Sequence, residues 1–146
     1  MGTVTDGILK QLEEAQEYPE TIEGLIDESF LEEFAKLIDA TGMSGDKIAE
    51  RCSVSKTYIN RIRNEGLKTE RKEMNPDRKT IIEICLAIEA PLEETNRILK
   101  LAGKRELYPR IEEESIIIWG LKHGESGKKL ELIRESLYDR GYDFFK

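Results

Sequence analysis

Apolar residues in this chain recur at spacings of three and four, in stripes a few turns long, each closed by glycine, proline or a polar turn. That is the helical period, and no stretch shows the alternation of two that a half-buried strand requires. Phe30, Phe34 and Leu37, with Leu31 and Ile38 alongside, predict a helix stopped by Gly42. Ser44 and Ser55 are good N-caps for two short helices over 45–52 and 56–64, the second closed by Glu65-Gly66. Asn75-Pro76-Asp77 opens the next, with Ile81, Ile82, Cys85 and Ile88 as its buried stripe. Pro91 starts another that carries Leu92, Ile98, Leu99 and Leu101 and ends at Gly103. Helices over 112–122 and 127–140 follow, the last with Leu130, Ile133 and Leu137 inward and Gly141 as its stop. Val4, Ile8 and Leu12 predict one more ahead of the break at Tyr18-Pro19, and no solenoid period appears. The expectation is an all-α protein.

With 146 residues, 38% of them hydrophobic, the chain is long enough to bury a core. Its longest apolar run, Ile116-Ile117-Ile118-Trp119, is far short of the ~20 residues of a membrane span. The N-terminus lacks the basic start and apolar centre of a signal peptide, so a cytoplasmic protein with no membrane partner is expected. Cys52 and Cys85 fall where helical stripes take small apolar residues and read as reduced core thiols. His123, beside Gly124 at a helix end, reads as a cap on carbonyls. No glycine-rich phosphate loop, HExxH, GxSxG or Cys/His cluster occurs, so neither catalysis, a cofactor nor a metal is expected.

Charge is unevenly spread. Residues 1–43 hold eleven acidic side chains against two basic, whereas residues 44–80 hold ten basic against six acidic. A basic middle inside a chain of net charge −7 suits a polyanion site, although an ordinary solvated surface has the same balance.

Specific information sits in residues 43–65, Met-Ser-Gly-Asp-Lys-Ile-Ala-Glu-Arg-Cys-Ser-Val-Ser-Lys-Thr-Tyr-Ile-Asn-Arg-Ile-Arg-Asn-Glu. Two short helices flank a tight turn at Ser53-Val54, with Ala49 small enough for a close crossing and Ile59 and Ile62 facing inward. This is the helix-turn-helix arrangement, whose second helix enters the major groove. Lys56, Thr57, Asn60 and Arg61 are left pointing outward, side-chain types that suit base edges. Ser44 and Ser55 offer hydroxyls and N–H groups to phosphates, and Lys47 adds a cation on the first helix.

Residues 30–90 resemble the Cro/XRE-type helix-turn-helix family of phage repressors and bacterial regulators. The ordered matches are Gly42-Met43-Ser44, Ile48-Ala49, Val54-Ser55, Ile59, Pro76 and the apolar run from Ile81 to Ile88. A wider likeness, to small all-helical regulators of Firmicutes, covers Leu92 to Gly103, Leu107 to Arg110 and Ile116-Ile117. The resemblance implies a lambda-repressor-like domain over 29–103, an acidic leader over 1–28, and a helical extension over 104–146 as a possible dimerisation element. Three departures stand out. Ser53 occupies a turn position where the family favours glycine, strained if its φ is positive. Gly45 replaces a polar base-contacting residue, which implies weaker or different readout. The 66–75 link is long and carries Lys68, Arg71 and Lys72, either a basic arm onto phosphates or a solvated loop.

Two functions follow. One is a sequence-specific transcriptional regulator that binds double-stranded DNA as a homodimer, with Trp119 and its neighbours in the core or at the dimer seam. The other is a helical protein–protein adaptor on the same scaffold, with the acidic leader engaging a protein partner or covering the basic face. For Arg61 and Arg63 the plain alternative is pairing with Glu65 or the leader. Tyr142, Phe144 and Phe145 are too apolar for a free tail and are expected to dock on the body or across a dimer.

Overall fold

A computed structural model describes residues 10, 13, 30–67 and 74–145, and among these the structure is all-helical. Among the described residues seven helices are delimited in order: α1 (Phe30–Ala40), α2 (Gly45–Arg51), α3 (Lys56–Gly66), α4 (Arg78–Ala87), α5 (Leu92–Leu101), α6 (Glu112–His123) and α7 (Lys129–Asp139). The expected N-terminal helix lies outside the described residues except for Lys10 and Glu13, which are helical.

The short helices begin where the sequence places a cap. Ser44 Oγ accepts from the Lys47 N–H at 3.2 Å, Ser55 Oγ from Tyr58 N–H at 3.1 Å, and the Asp77 carboxylate from Thr80 N–H at 2.8 Å. Each satisfies an N–H that a helix start leaves without a partner, worth about 1 kcal/mol. α3 runs past the expected stop: Glu65 and Gly66 are helical and buried. Gly66 is there for proximity, since a Cβ on it would sit 2.4 Å from the Leu31 carbonyl oxygen and 2.5 Å from the Ala35 Cβ. The missing side chain lets α3 lie directly on α1.

α4 is the centre of the protein. Not one stripe but every residue from Ile81 to Ala87 is buried, because α2, α5 and α7 surround it. A single apolar cluster joins Phe34, Ile38, Ile48, Ile59 and Ile62 to Ile98 and Leu99, and continues through Leu107, Ile117, Ile133 and Leu137. Tyr142, Phe144 and Phe145 pack against that cluster, so the aromatic tail docks on the body. Two minor expectations change. Cys85 is fully buried but Cys52 only partly, its Sγ donating to the Ile48 carbonyl at 3.3 Å. His123 stacks against Trp119 at 5.8 Å between ring centroids instead of capping carbonyls.

α4 ends unusually. After α1, α5 and α7 a glycine takes the left-handed position, but after α4 it is Glu89, at φ 58°. The closing bonds are those of a Schellman turn, Ala90 N–H to Cys85 O and Glu89 N–H to Leu86 O. A non-glycine residue there costs roughly 1–2 kcal/mol. The carboxylate offsets it by accepting from Gly127 N–H at 2.7 Å and Lys129 N–H at 3.3 Å, capping the start of α7, which has no side-chain cap of its own.

Candidate functional site

α2, the turn at Ser53-Val54 and α3 form a compact unit. Ile48, Ile59 and Ile62 are fully buried beneath it, and α3 also rests on α1. Because a helix advances about 100° per residue, Lys56, Thr57, Asn60, Arg61 and Asn64 fall within one arc of roughly 140° opposite the isoleucines. Lys56, Thr57, Arg61 and Asn64 are exposed, as are Ser44, Lys47 and Ser55 at the neighbouring helix starts. Seven of the nine residues singled out from the sequence therefore lie together on α2 and α3. The other two, Lys68 and Arg71, lie outside the described residues.

The cations of this surface differ in freedom. Arg61 and Lys47 have no ion-pair partner among the described residues. Lys56 meets Asp46 at 3.2 Å in an exposed pair, worth no more than about 1 kcal/mol and easily given up. Arg63 is held to Asp39 at 2.7 Å and Arg51 donates to the Ala87 carbonyl at 3.0 Å, so both serve the fold. Burial raises the Tyr58 phenol above its ordinary range, with Asp77 adding to it, so its hydroxyl remains a donor.

Asn60 departs from its expected outward orientation. Its carboxamide lies over α2, with Oδ1 2.4 Å from where a Cβ on Gly45 would be, and it is partly buried there. Gly45, itself buried, is thus the seat of Asn60. A polar side chain at 45 and this placement of Asn60 exclude each other.

Ser53 also departs from expectation, because its φ is not positive and the turn carries no such strain. Its N–H and hydroxyl instead donate to the carboxylate of Glu83 at 2.6 and 2.8 Å. Glu83 is 4% exposed, and Arg134 of α7 donates to the same group. A charge placed in that interior must be matched by such donors, since burying it alone is costly. The turn between α2 and α3 is thereby tied through α4 to α7. The signal in the sequence was a lone carboxylate inside Ile81-Ile82-Glu83-Ile84-Cys85-Leu86.

A second buried carboxylate, Glu114, is 3% exposed. Arg78 donates to it at 3.0 and 2.9 Å, Arg105 at 3.1 and 2.9 Å, and Tyr108 N–H at 2.8 Å. Burial alone would raise this carboxyl, but the bonds from Arg78, Arg105 and the Tyr108 amide outweigh it and hold it at about 2. Arg78, one of the ten cations of the basic middle, is thereby committed to joining α4 to α6. The Cys85 thiol, by contrast, is pushed up to about 12 by burial and stays protonated. Among the described residues, no three or more His, Cys, Asp and Glu are grouped to hold a metal ion, and no helix is long and apolar enough to cross a membrane. No protein-family model, curated protein or solved structure matches this chain.

Proposed function

We propose that the chain is a sequence-specific DNA-binding transcriptional regulator of lambda-repressor-like helix-turn-helix form, acting in the cytoplasm as a homodimer that inserts α3 into the major groove. The observation that carries this reading is the exposed arc of α3, with Lys56, Thr57 and Arg61 beside two serine-capped helix starts. Arg61, unpaired among the described residues, and Lys56, weakly paired, suit guanine O6 and N7. The Thr57 methyl suits thymine. Asn60, seated on Gly45, supports the position of α2 against α3 and reaches adenine only by leaving that seat. The exposed amides and hydroxyls at Ser44 and Ser55, with Lys47, suit backbone phosphates, which set register without reading sequence. Two such units would address half-sites ~34 Å apart.

Binding of a randomised duplex pool by the purified protein across a salt series tests this, with a Lys56→Ala/Arg61→Ala variant alongside. Expected are a symmetric selected motif, an affinity that falls steeply with salt, and a loss of roughly 10- to 100-fold or more in the variant. No duplex retained at low salt, with or without residues 1–28, would refute it and favour the adaptor. Tighter binding after removal of residues 1–28 would instead mark the acidic leader as autoinhibitory.

A further inference from the structure

The outer face of α6 is left open around Trp119, while its first turn is held through Glu112 to Tyr142 and Arg140. α6 buries Glu114, Ile117, Gly120 and Leu121 and packs mainly on α7. The opposite stripe, at helical spacings of three and four, is Glu112, Ser115, Ile116, Trp119, Lys122 and His123. Trp119 is 46% exposed, and it shares a groove of about 370 Å³ with Ile116, Ser136 and Arg140. A large aromatic left in water at the centre of a stripe whose ends carry opposite charge calls for a matching surface.

We propose that this stripe is a homodimer seam in which α6 pairs antiparallel with α6 of a second copy about a two-fold axis. The sequence of the stripe is self-complementary under that operation. With the axis between Ile117 and Ile118, Glu112 comes opposite His123 of the second copy and Ile116 opposite Trp119, each contact occurring twice. The carboxylates at the start of α6 (Glu112 and Glu113) meet the basic end (Lys122 and His123) of its twin, and the helix dipoles oppose favourably in the same arrangement. A parallel pairing would set like charge on like at both ends. Glu112 already accepts from Tyr142 Oη at 2.6 Å and Arg140 at 3.3 Å, which fixes its place at the rim and leaves it able to accept further bonds. A three-turn helix is ~18 Å long, so the contact lies at the small end of specific interfaces and the dimer forms in the micromolar range. α6 makes no substantial contact with α2 or α3, so the seam leaves their exposed faces open. The inference rests on the homodimer part of the function proposed above and is independent of DNA binding.

Trp119 is the only tryptophan in the chain, so its fluorescence reports on this face alone. Light scattering of the full-length protein without DNA, from ~1 to ~100 μM, is expected to move from monomer towards twice the monomer mass, with the tryptophan emission shifting to shorter wavelength over the same range. Trp119→Lys is expected to abolish the doubling while keeping the far-UV circular dichroism of the parent. Tyr138→Ser, which removes an exposed ring from another face of α7, is expected to leave it intact. A monomer throughout, or a mass doubling without any emission change, overturns the proposal, as does a dimer unaffected by Trp119→Lys. The emission series on the unaltered protein decides the matter even if a variant fails to fold.

Discussion

Lowering the pH should remove one identifiable interaction, the clamp on Glu114. The carboxylate accepts five hydrogen bonds, four from Arg78 and Arg105 and one from the Tyr108 amide, and this holds it at about 2 against an ordinary 4.5. Its folded-state value lies below its unfolded one, so the unfolded chain takes up the proton first as the solution is acidified. The stabilisation is therefore complete above about pH 5 and is lost as the pH falls from 4.5 towards 2. At about 1.4 kcal/mol per pH unit, the full gap corresponds to ~3 kcal/mol. Arg105 is 53% exposed and its share is screened by water, which brings the expectation to ~2–3 kcal/mol.

Because Glu33 and Asp77 are also held below their ordinary range, the pH profile of the parent protein alone does not isolate Glu114. The comparison with Glu114→Gln does. Urea unfolding followed by far-UV circular dichroism, at pH values from 7 to 2.5, should show the variant ~2–3 kcal/mol less stable at pH 7 and the difference shrinking as the parent protonates. A stability difference that stays constant across that range would refute the reasoning, since it would mean that the charge of Glu114 contributes nothing and only its shape matters.

Glu83→Gln keeps the acceptor for Ser53 but removes the charge facing Arg134, and should cost ~1–3 kcal/mol; a double-mutant cycle with Arg134→Ala showing no coupling would contradict the assigned contact. Gly66→Ala should destabilise by ~1–3 kcal/mol despite alanine's better helix propensity, because the added methyl meets the Leu31 backbone; an unchanged urea midpoint would count against the close approach of α1 and α3. Gly45→Ala meets only the movable Asn60 side chain, so it should leave stability within ~1 kcal/mol while changing the selected duplex motif, and a large stability loss would argue against that difference. Removing residues 104–146 takes Arg134 from Glu83, Glu114 from Arg78 and α7 from α4, and should cost more than ~5 kcal/mol, comparable to a domain's whole stability. A truncated chain that melts cooperatively near the parent temperature would refute that account.

The sequence made local structure readable where one residue decides it. Ser44, Ser55 and Asp77 each cap a helix within three residues of themselves, and the Ile59/Ile62 and Leu130/Ile133/Leu137 stripes lie within single helices. The exposed positions Lys56, Thr57 and Arg61 follow from the same periodicity. What it did not show are meetings between distant residues. Ser53 and Glu83 are 30 positions apart, Glu83 and Arg134 are 51, and Arg78 and Glu114 are 36. Helical spacing says which face a carboxylate is on, not which donors another helix will bring to it. Asn60 was misplaced for a related reason: its position on α3 is outward, but the absence of a side chain at Gly45 opens a seat that periodicity does not record.

These distant meetings bear on how the exposed arc of α3 is held. Lys56, Thr57 and Arg61 keep their positions only as firmly as the turn that launches α3, and that turn is anchored by Ser53 to Glu83. Glu83 in turn is balanced by Arg134, while Glu89, from a strained position at the end of α4, caps the helix that carries Arg134. A mobile turn would spread the arc over many orientations and each contact would bear the entropic cost of fixing it, whereas an anchored turn has met that cost in folding. The C-terminal helices are therefore part of what positions the α2–α3 surface. Substitutions at Glu83, Glu89 or Arg134 act on that surface from a distance, without touching any residue that faces solvent on α3.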